Sequence, residues 1–418
     1  MTILIKSATI IDPKSEFHNT IQDILIENGT ILKISKNIKN TNDYEEITLE
    51  NLHVSQGWFD SSVCFGEPGY EERETLKNGL KVAASSGFTT IALNPNTNPV
   101  IDTNADITFI TSKANNNAVT VVPIGALTIG SKGEDLAELY DMSTSGAVAF
   151  YDYKKPVSNP NLMKIALQYA SNFNGLVCSF PQENKISGHG VMNENITSTK
   201  LGLKGIPSLA EELQVARDLF LLEYTGGKLH IPTISTAKSV ALIREAKKSK
   251  LDVTCSVAIH NLCILDESLT NFDTNSKVLP PLRTQADIEA LITGVKDGTI
   301  DMVTSDHSPI DIEEKKVEFD HAEYGTIGLE SAFGALQTVF TTKKTIELLT
   351  KGKQHFGVKQ SSINIGSEAN ITLFNPDAKY TFEKGHIKSR SKNSIFLGSN
   401  LKGIVYGILS NNKLHLNN

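Results

Sequence analysis

A chain of 418 residues with 39% hydrophobic and 21% charged residues has the composition of an ordinary globular protein, and it can hold a large barrel of roughly 250 to 300 residues with an accessory unit. Its net charge is −7 with lysines and acids interspersed, so no basic stripe stands ready for phosphates and nucleic acid is not an expected partner. No run of about 18 apolar residues, no signal-type leader and no CxxC pairing among Cys64, Cys178, Cys255 and Cys263 are found. The expectation is a cytoplasmic chain without a membrane span, a disulfide framework or a zinc knuckle.

Residues 1–52 hold short alternating strands, at 3–5, 21–27 and 30–34, separated by turn residues such as Asn28-Gly29. From residue 53 the pattern becomes apolar strand followed by helical periodicity. The units are 53–65 with 71–86, 89–96 with 106–115, 119–127 with 135–140, 146–152 with 162–172, 176–180 with 209–223, 229–235 with 237–249, 253–260 with 285–296, and 301–305 with 329–340. Eight such units predict a (β/α)8 barrel over residues 53–360. Strands return after 360, at 370–374, 403–410 and 413–416. The β-rich ends, 1–52 and 361–418, are each too small for a core, so they are expected to combine into one small β unit of sandwich type.

Chemistry in such a barrel gathers at the carboxyl ends of the strands. The segments there include Asp60 to Glu67, Asn94 to Asn98, Tyr151 to Tyr153, Phe180 to Gln182, Thr233, His260 and Thr304 to Ile310. Two stretches carry a specific pattern, Glu67-Pro68-Gly69-Tyr70-Glu71 and Asn94-Pro95-Asn96-Thr97-Asn98-Pro99. So do Pro280-Pro281-Leu282-Arg283, Ser305-Asp306-His307-Ser308-Pro309 and Gly328-Leu329-Glu330. In this order the motifs resemble the long bacterial dihydroorotases of the metal-dependent amidohydrolase superfamily, and the match runs through Ile365-Gly366-Ser367-Glu368-Ala369-Asn370 almost to the end. Resemblance of this kind implies a fold and leaves activity to the site.

The resemblance implies a His-x-His pair ending strand one, histidines ending strands five and six, a metal-binding carboxylate at strand four, and an aspartate at strand eight that binds metal and shuttles protons. Such nitrogen and oxygen donors suit zinc, which acidifies bound water to a pKa near ~7. Over that pattern, the former metal positions here are Ser62, Cys64, Asp152, Phe180, Thr233 and Asp306. Four imidazoles are replaced and two carboxylates stay. The family's substrate-gripping arginine falls on Gly66, an asparagine on Leu279 and a histidine on Ile310. Asn96 alone remains as a ligand-binding residue. Phe180 can neither ligate nor hydrogen-bond. Asp306 is vestigial as a base unless a metal-bound water is present, and its alternative is a structural role. Asp152 and Asp306, if facing one cavity, call for separating water, protonation, or a lysine such as Lys154 or Lys155 swinging in. His260 and His307 are expected outside any metal shell.

These residues predict a catalytically inactive dihydroorotase-like protein without a cofactor, although zinc belongs to the family. At family level the resemblance implies a structural or regulatory partnership with aspartate transcarbamoylase and a homo-oligomer, most simply a dimer. Two alternatives stay open. One is an active hydrolase of dihydroorotate or another cyclic amide with an unusual metal site involving Cys64 and Asp306. The other is a metabolite-binding sensor built around Asn96.

Overall fold

The computed structural model describes residues 1–41 and 43–417. Eight parallel strands form the barrel: β1 (Trp58–Val63), β2 (Phe88–Leu93), β3 (Thr120–Gly125), β4 (Ala149–Phe150), β5 (Leu176–Cys178), β6 (Lys228–Ile231), β7 (Val253–Ala258) and β8 (Met302–Thr304). They are hydrogen-bonded in sequence order. Most of these strands are buried on both faces, as all six residues of β7 are, because helices cover the outside and side chains fill the inside. The helices start where the sequence supplies a cap. Thr103 with Asp106 and Thr284 with Asp287 form reciprocal capping boxes, and Asn159 precedes a proline at the first helical position.

The barrel closes between β1 and β8 through a short seam. Val63 bridges His307, and the Cys64 amide donates to the His307 carbonyl at 2.8 Å. Asp60 clamps the same seam from within. Its carboxylate accepts from the Ser62 amide at 3.0 Å, the Thr304 hydroxyl at 2.5 Å and the Ser305 amide at 2.9 Å. Burial raises the Asp60 pKa, and these donors oppose the shift.

Both chain ends build a second, separate sheet. Its strand order is Lys413–Leu416, Asn400–Ser410, Ile371–Thr381, His53–Gln56, Thr2–Ile11, Ile21–Glu27 and Thr30–Ser35, with Glu45–Ile47 also paired to Thr2–Ile11. Ile3, Ile24, Val54, Ile371 and Leu409 pack one core across sequence-distant strands.

Two local readings differ from the sequence expectation. Residues 53–65 look like one strand, yet His53–Gln56 pairs with Ile371–Thr381 in the terminal sheet and only Trp58–Val63 enters the barrel. Gly57 makes the break: a Cβ there would lie 1.9 Å from the Asn370 side-chain oxygen, so only glycine fits between the sheets. The helix read at 135–140 starts instead at Leu139, because the Ala137 amide is drawn to the Leu127 carbonyl.

Asp60→Ala leaves the Ser305 and Ser62 amides buried without their acceptor. The expected outcome is a loss of stability of roughly 3 kcal/mol, read as a lower thermal midpoint. An unchanged midpoint would mean that the seam does not depend on this clamp.

Candidate active site

The mouth of the barrel is organised around one buried ion pair. Asp306 follows β8, is 2% exposed and adopts a positive φ of 50°. Lys154, just after β4, also has a positive φ, 52°, and its ammonium donates to Asp306 at 2.7 Å. The Tyr153 hydroxyl, at 3.5 Å, and the Ser62 hydroxyl, at 3.4 Å, face the other carboxylate oxygen. Burial pushes the Asp306 carboxyl up, and Lys154 is the largest influence pulling it back down. Thr233, after β6, has a φ of 50° as well. Three non-glycine residues in the left-handed region at strand ends mark stored backbone strain of about 1–3 kcal/mol each, the kind that gathers at functional sites.

The six positions that the resemblance assigns to metal ligands lie in different environments. Ser62, within β1, and Cys64, just after it, are bridged by Asn94, whose Nδ2 donates to Ser62 Oγ at 3.0 Å and lies 3.5 Å from Cys64 Sγ. Burial pushes the Cys64 thiol up to about 12, so it is a neutral thiol at ordinary pH. Asp152 points elsewhere. It accepts from the Leu127 and Thr128 amides, each at 2.9 Å, and from the Thr128 hydroxyl, so it caps the turn after β3 and does not face Asp306. The expected repulsion between the two carboxylates therefore does not arise, while the lysine that was to relieve it, Lys154, is in place. Phe180 is 1% exposed and packs with Phe59, Tyr151, Cys178, Leu279 and Phe356 as an apolar plug in the barrel interior. Thr233 donates its amide to Ser256 Oγ at 3.1 Å, and its own buried hydroxyl has no partner.

The histidines are structural in placement. His307 Nδ1 accepts the Gly328 and Leu329 amides at 3.2 and 3.3 Å, capping the helix Leu329–Val339. That acceptor role requires a bare Nδ1, and burial drives the ring down to about 3, so its 4.0 Å approach to Glu330 is not an ion pair. His260 is likewise buried and pushed down to about 3, with Nε2 unpartnered. His230 bonds Thr254 Oγ1 at 2.9 Å. The motif arginine Arg283 is wholly buried and donates to Ser235, Asn193 and the Ile206 carbonyl, holding the loops together from inside.

Above the ion pair lies a cavity of about 430 Å³, within the range of small-molecule sites. Arg73, Asn96, Tyr153, Lys154 and Tyr324 line it, and so do Leu279 and Ile310. Asn96 Oδ1 is buried without a partner there. An arginine at position 66 is excluded by the backbone: a Cβ on Gly66 would sit 1.7 Å from the Tyr70 carbonyl oxygen. The loop has folded around glycine, and the family's carboxylate clamp cannot be regained by a side-chain change alone. Asn94 and Tyr153 were placed at strand ends by the sequence without a role of their own, and Arg73 was not singled out. Asn94 was legible in principle, because an asparagine ending β2 faces the same interior as the residues ending β1.

Breaking the Lys154–Asp306 pair strands a buried carboxylate. Lys154→Met is expected to lose roughly 3 kcal/mol at neutral pH. Burial holds the folded-state pKa of Asp306 above its unfolded value, so the folded state binds the extra proton and stability falls as pH rises through that window. The variant should therefore regain stability on acidification, and adding Asp306→Asn should restore most of the loss at neutral pH. Thermal midpoints of the three proteins from pH 4 to 8 check this, and strict additivity of the two changes would contradict it.

A family model described as Dihydro-orotase-like matches residues 53–239. The chain is 42% identical over 416 residues to a protein named dihydroorotase from Pelotomaculum thermopropionicum, covering 98% of this chain and 97% of that one. It is 42% identical over 417 residues to the dihydroorotase of Acetivibrio thermocellus, covering 98% and 97%. Among solved structures, the L-hydantoinase (dihydropyrimidinase) of Arthrobacter aurescens superposes with a TM-score of 0.84 at 20% identity, covering 99% of this chain and 95% of that chain, which speaks for the fold. The expectation that no cofactor belongs to this chain is corrected by these relatives. They share its full length and are named for the activity that, in the family resembled above, works through zinc. The side chains present do not fit a histidine-held zinc in that family's arrangement. Asp306 is taken by Lys154, Phe180 offers no donor, Asp152 is turned away, and no group of three His, Cys, Asp or Glu is placed to hold a metal among the described residues. Among the described residues no helix is long and apolar enough to cross a membrane. Sequence identity over the whole length, the matching family model and the shared barrel together place this chain in the dihydroorotase-like family of amidohydrolases.

Proposed function

We propose that this dihydroorotase-like chain serves pyrimidine biosynthesis as a structural or regulatory partner of aspartate transcarbamoylase, and does not itself open the dihydroorotate ring by the family's route. The observation that carries the reading is the Lys154–Asp306 pair at 2.7 Å. The one carboxylate that could accept and return a proton at β8 is neutralised by an internal ammonium. The substrate clamp has gone with it, since Gly66, Leu279 and Ile310 offer neither charge nor hydrogen bond from their side chains. Asn96 with its unpartnered oxygen keeps some capacity for a ligand in the mouth.

A partner role needs a surface, and one long helix supplies a candidate. On Ser208–Thr225, Leu209, Leu213, Phe220 and Tyr224 recur at spacings that align them along one face, and Phe220 and Tyr224 are 71% and 77% exposed. Ile165 and Tyr169, on the packed neighbour Pro160–Ser171, extend the face. An apolar face of this extent on a charged protein is the usual mark of assembly.

The second reading is an active hydrolase of dihydroorotate or another cyclic amide with an unusual metal site. The identity of 42% over nearly the whole chain to proteins named dihydroorotase favours it more directly than it favours inactivity. Its donors would be Cys64 and Asp306, on the same side of the mouth as Ser62.

Purified chain given zinc, cobalt or manganese, with dihydroorotate and with carbamoyl aspartate, separates the two. The partner reading expects no turnover; rates of about 1 per second or more would establish the hydrolase. Phe220→Glu with Tyr224→Glu should abolish co-purification with the transcarbamoylase catalytic chain while leaving the melting transition in place. Complex formation unaffected by both charges would remove this face from the account.

A further inference from the structure

Lys315 is a lysine buried at 3% exposure beside the barrel mouth, and among the described residues it has no carboxylate partner. Its Nζ donates only to the carbonyls of Thr274, at 2.8 Å, and Glu323, at 2.7 Å. Burial and the nearby Lys277 pull its pKa down to about 7. It lines a cavity of about 450 Å³ together with four more cations, Lys316, Lys384, Arg390 and Lys392. Lys392 is spent on the carbonyls of Ile387 and Ser389, and Arg390 uses one Nη1 contact on the Glu71 carbonyl. Among the described residues, none of the five lies within 4.0 Å of a carboxylate. The two acids on the cavity wall, Glu72 and Asp311, do not balance them, and Asp311 is engaged in capping the Glu313 amide at 2.8 Å.

Four exposed cations and the partly protonated Lys315 line one concavity and repel each other, and in a chain of net charge −7 this is the reverse of the average field. An anion in the cleft removes that repulsion. A single carboxylate would meet one or two of the cations, whereas a chain of phosphates spreads several charges over the length of the cleft. The planar guanidinium of Arg390 matches phosphate oxygens in pairs. We propose that the cleft formed by Lys315, Lys316, Lys384, Arg390 and Lys392 binds a small molecule carrying two or more linked phosphates. The site is separate from the barrel-mouth cavity, with which it shares only Ile310 in its lining. It therefore stands or falls independently of whether the mouth is catalytic.

The test is calorimetric titration of the full chain with tripolyphosphate and, separately, a nucleoside triphosphate, at about 0.15 M salt to suppress nonspecific surface attraction. Lys316 and Lys384 are exposed, so Lys316→Glu with Lys384→Glu leaves the fold intact, and Lys33→Glu with Lys36→Glu in the terminal sheet is a charge-matched control. The cleft is supported if wild type and control bind and the cleft variant binds about tenfold more weakly or worse. Equal affinity for both probes assigns recognition to the phosphate chain, and a preference for the nucleotide adds its base and sugar; both uphold the proposal. Absence of binding by either probe overturns it, and so does equal weakening in the control. Displacement of bound tripolyphosphate by an equimolar polyaspartate peptide would overturn it in favour of an acidic protein partner.

Discussion

The barrel mouth depends on an ammonium placed against the carboxylate at the end of β8. Asp306 is almost completely withdrawn from water, and an isolated carboxylate there would be protonated or would open the structure. Lys154 answers this from the end of β4, with its Nζ over the Tyr153 ring at 5.3 Å as well as on Asp306. That one contact ties the fourth unit to the eighth across the barrel, and both residues hold positive φ angles. Ser62, Cys64 and Asn94 then settle into a neutral hydrogen-bonded row beside the pair. Phe180 closes the floor with apolar packing.

The residues around this pair constrain one another. A histidine at Phe180 would need a polar partner in a space filled by Phe59, Tyr151 and Phe356. An arginine at Gly66 would collide with the Tyr70 carbonyl. Asp152 has been recruited by the turn after β3, where it satisfies two buried amides. Ser62, Cys64, Asp152 and Phe180 each sit among neighbours suited to the residue present, whereas the Thr233 hydroxyl finds no partner among the described residues. The relatives' shared name keeps hydrolysis and zinc attached to the family.

Much of this was legible in the sequence, for physical reasons that differ by feature. The barrel could be read because its strands are apolar on both faces and its helices carry threonine caps and capping boxes, both local signals. The pairing of His53–Gln56 with the terminal sheet could not, because Gly57 breaks the strand only by its closeness to Asn370, far away in sequence. The strand-end placement of Ser62, Cys64, Phe180 and Thr233 was readable from motif spacing, and a lysine near Asp306 from simple charge balance. The orientation of Asp152 was not, since alternation along a two-residue strand says little about which loop amides will claim a carboxylate. The cationic cleft was hidden too. Its members come from residues 315–316 and 384–392, and interspersed acids mask them in a linear count.

The central claim is that Lys154 supplies the positive charge which holds Asp306 in the mouth. A high-resolution crystal structure of the chain grown with zinc in the medium tests it directly, with anomalous differences recorded at the zinc edge. The account predicts Lys154 Nζ within hydrogen-bonding distance of Asp306 and no anomalous peak on that carboxylate. A peak bridging Asp306 and Cys64, with Lys154 turned out toward solvent, would contradict it and return the mouth to metal chemistry.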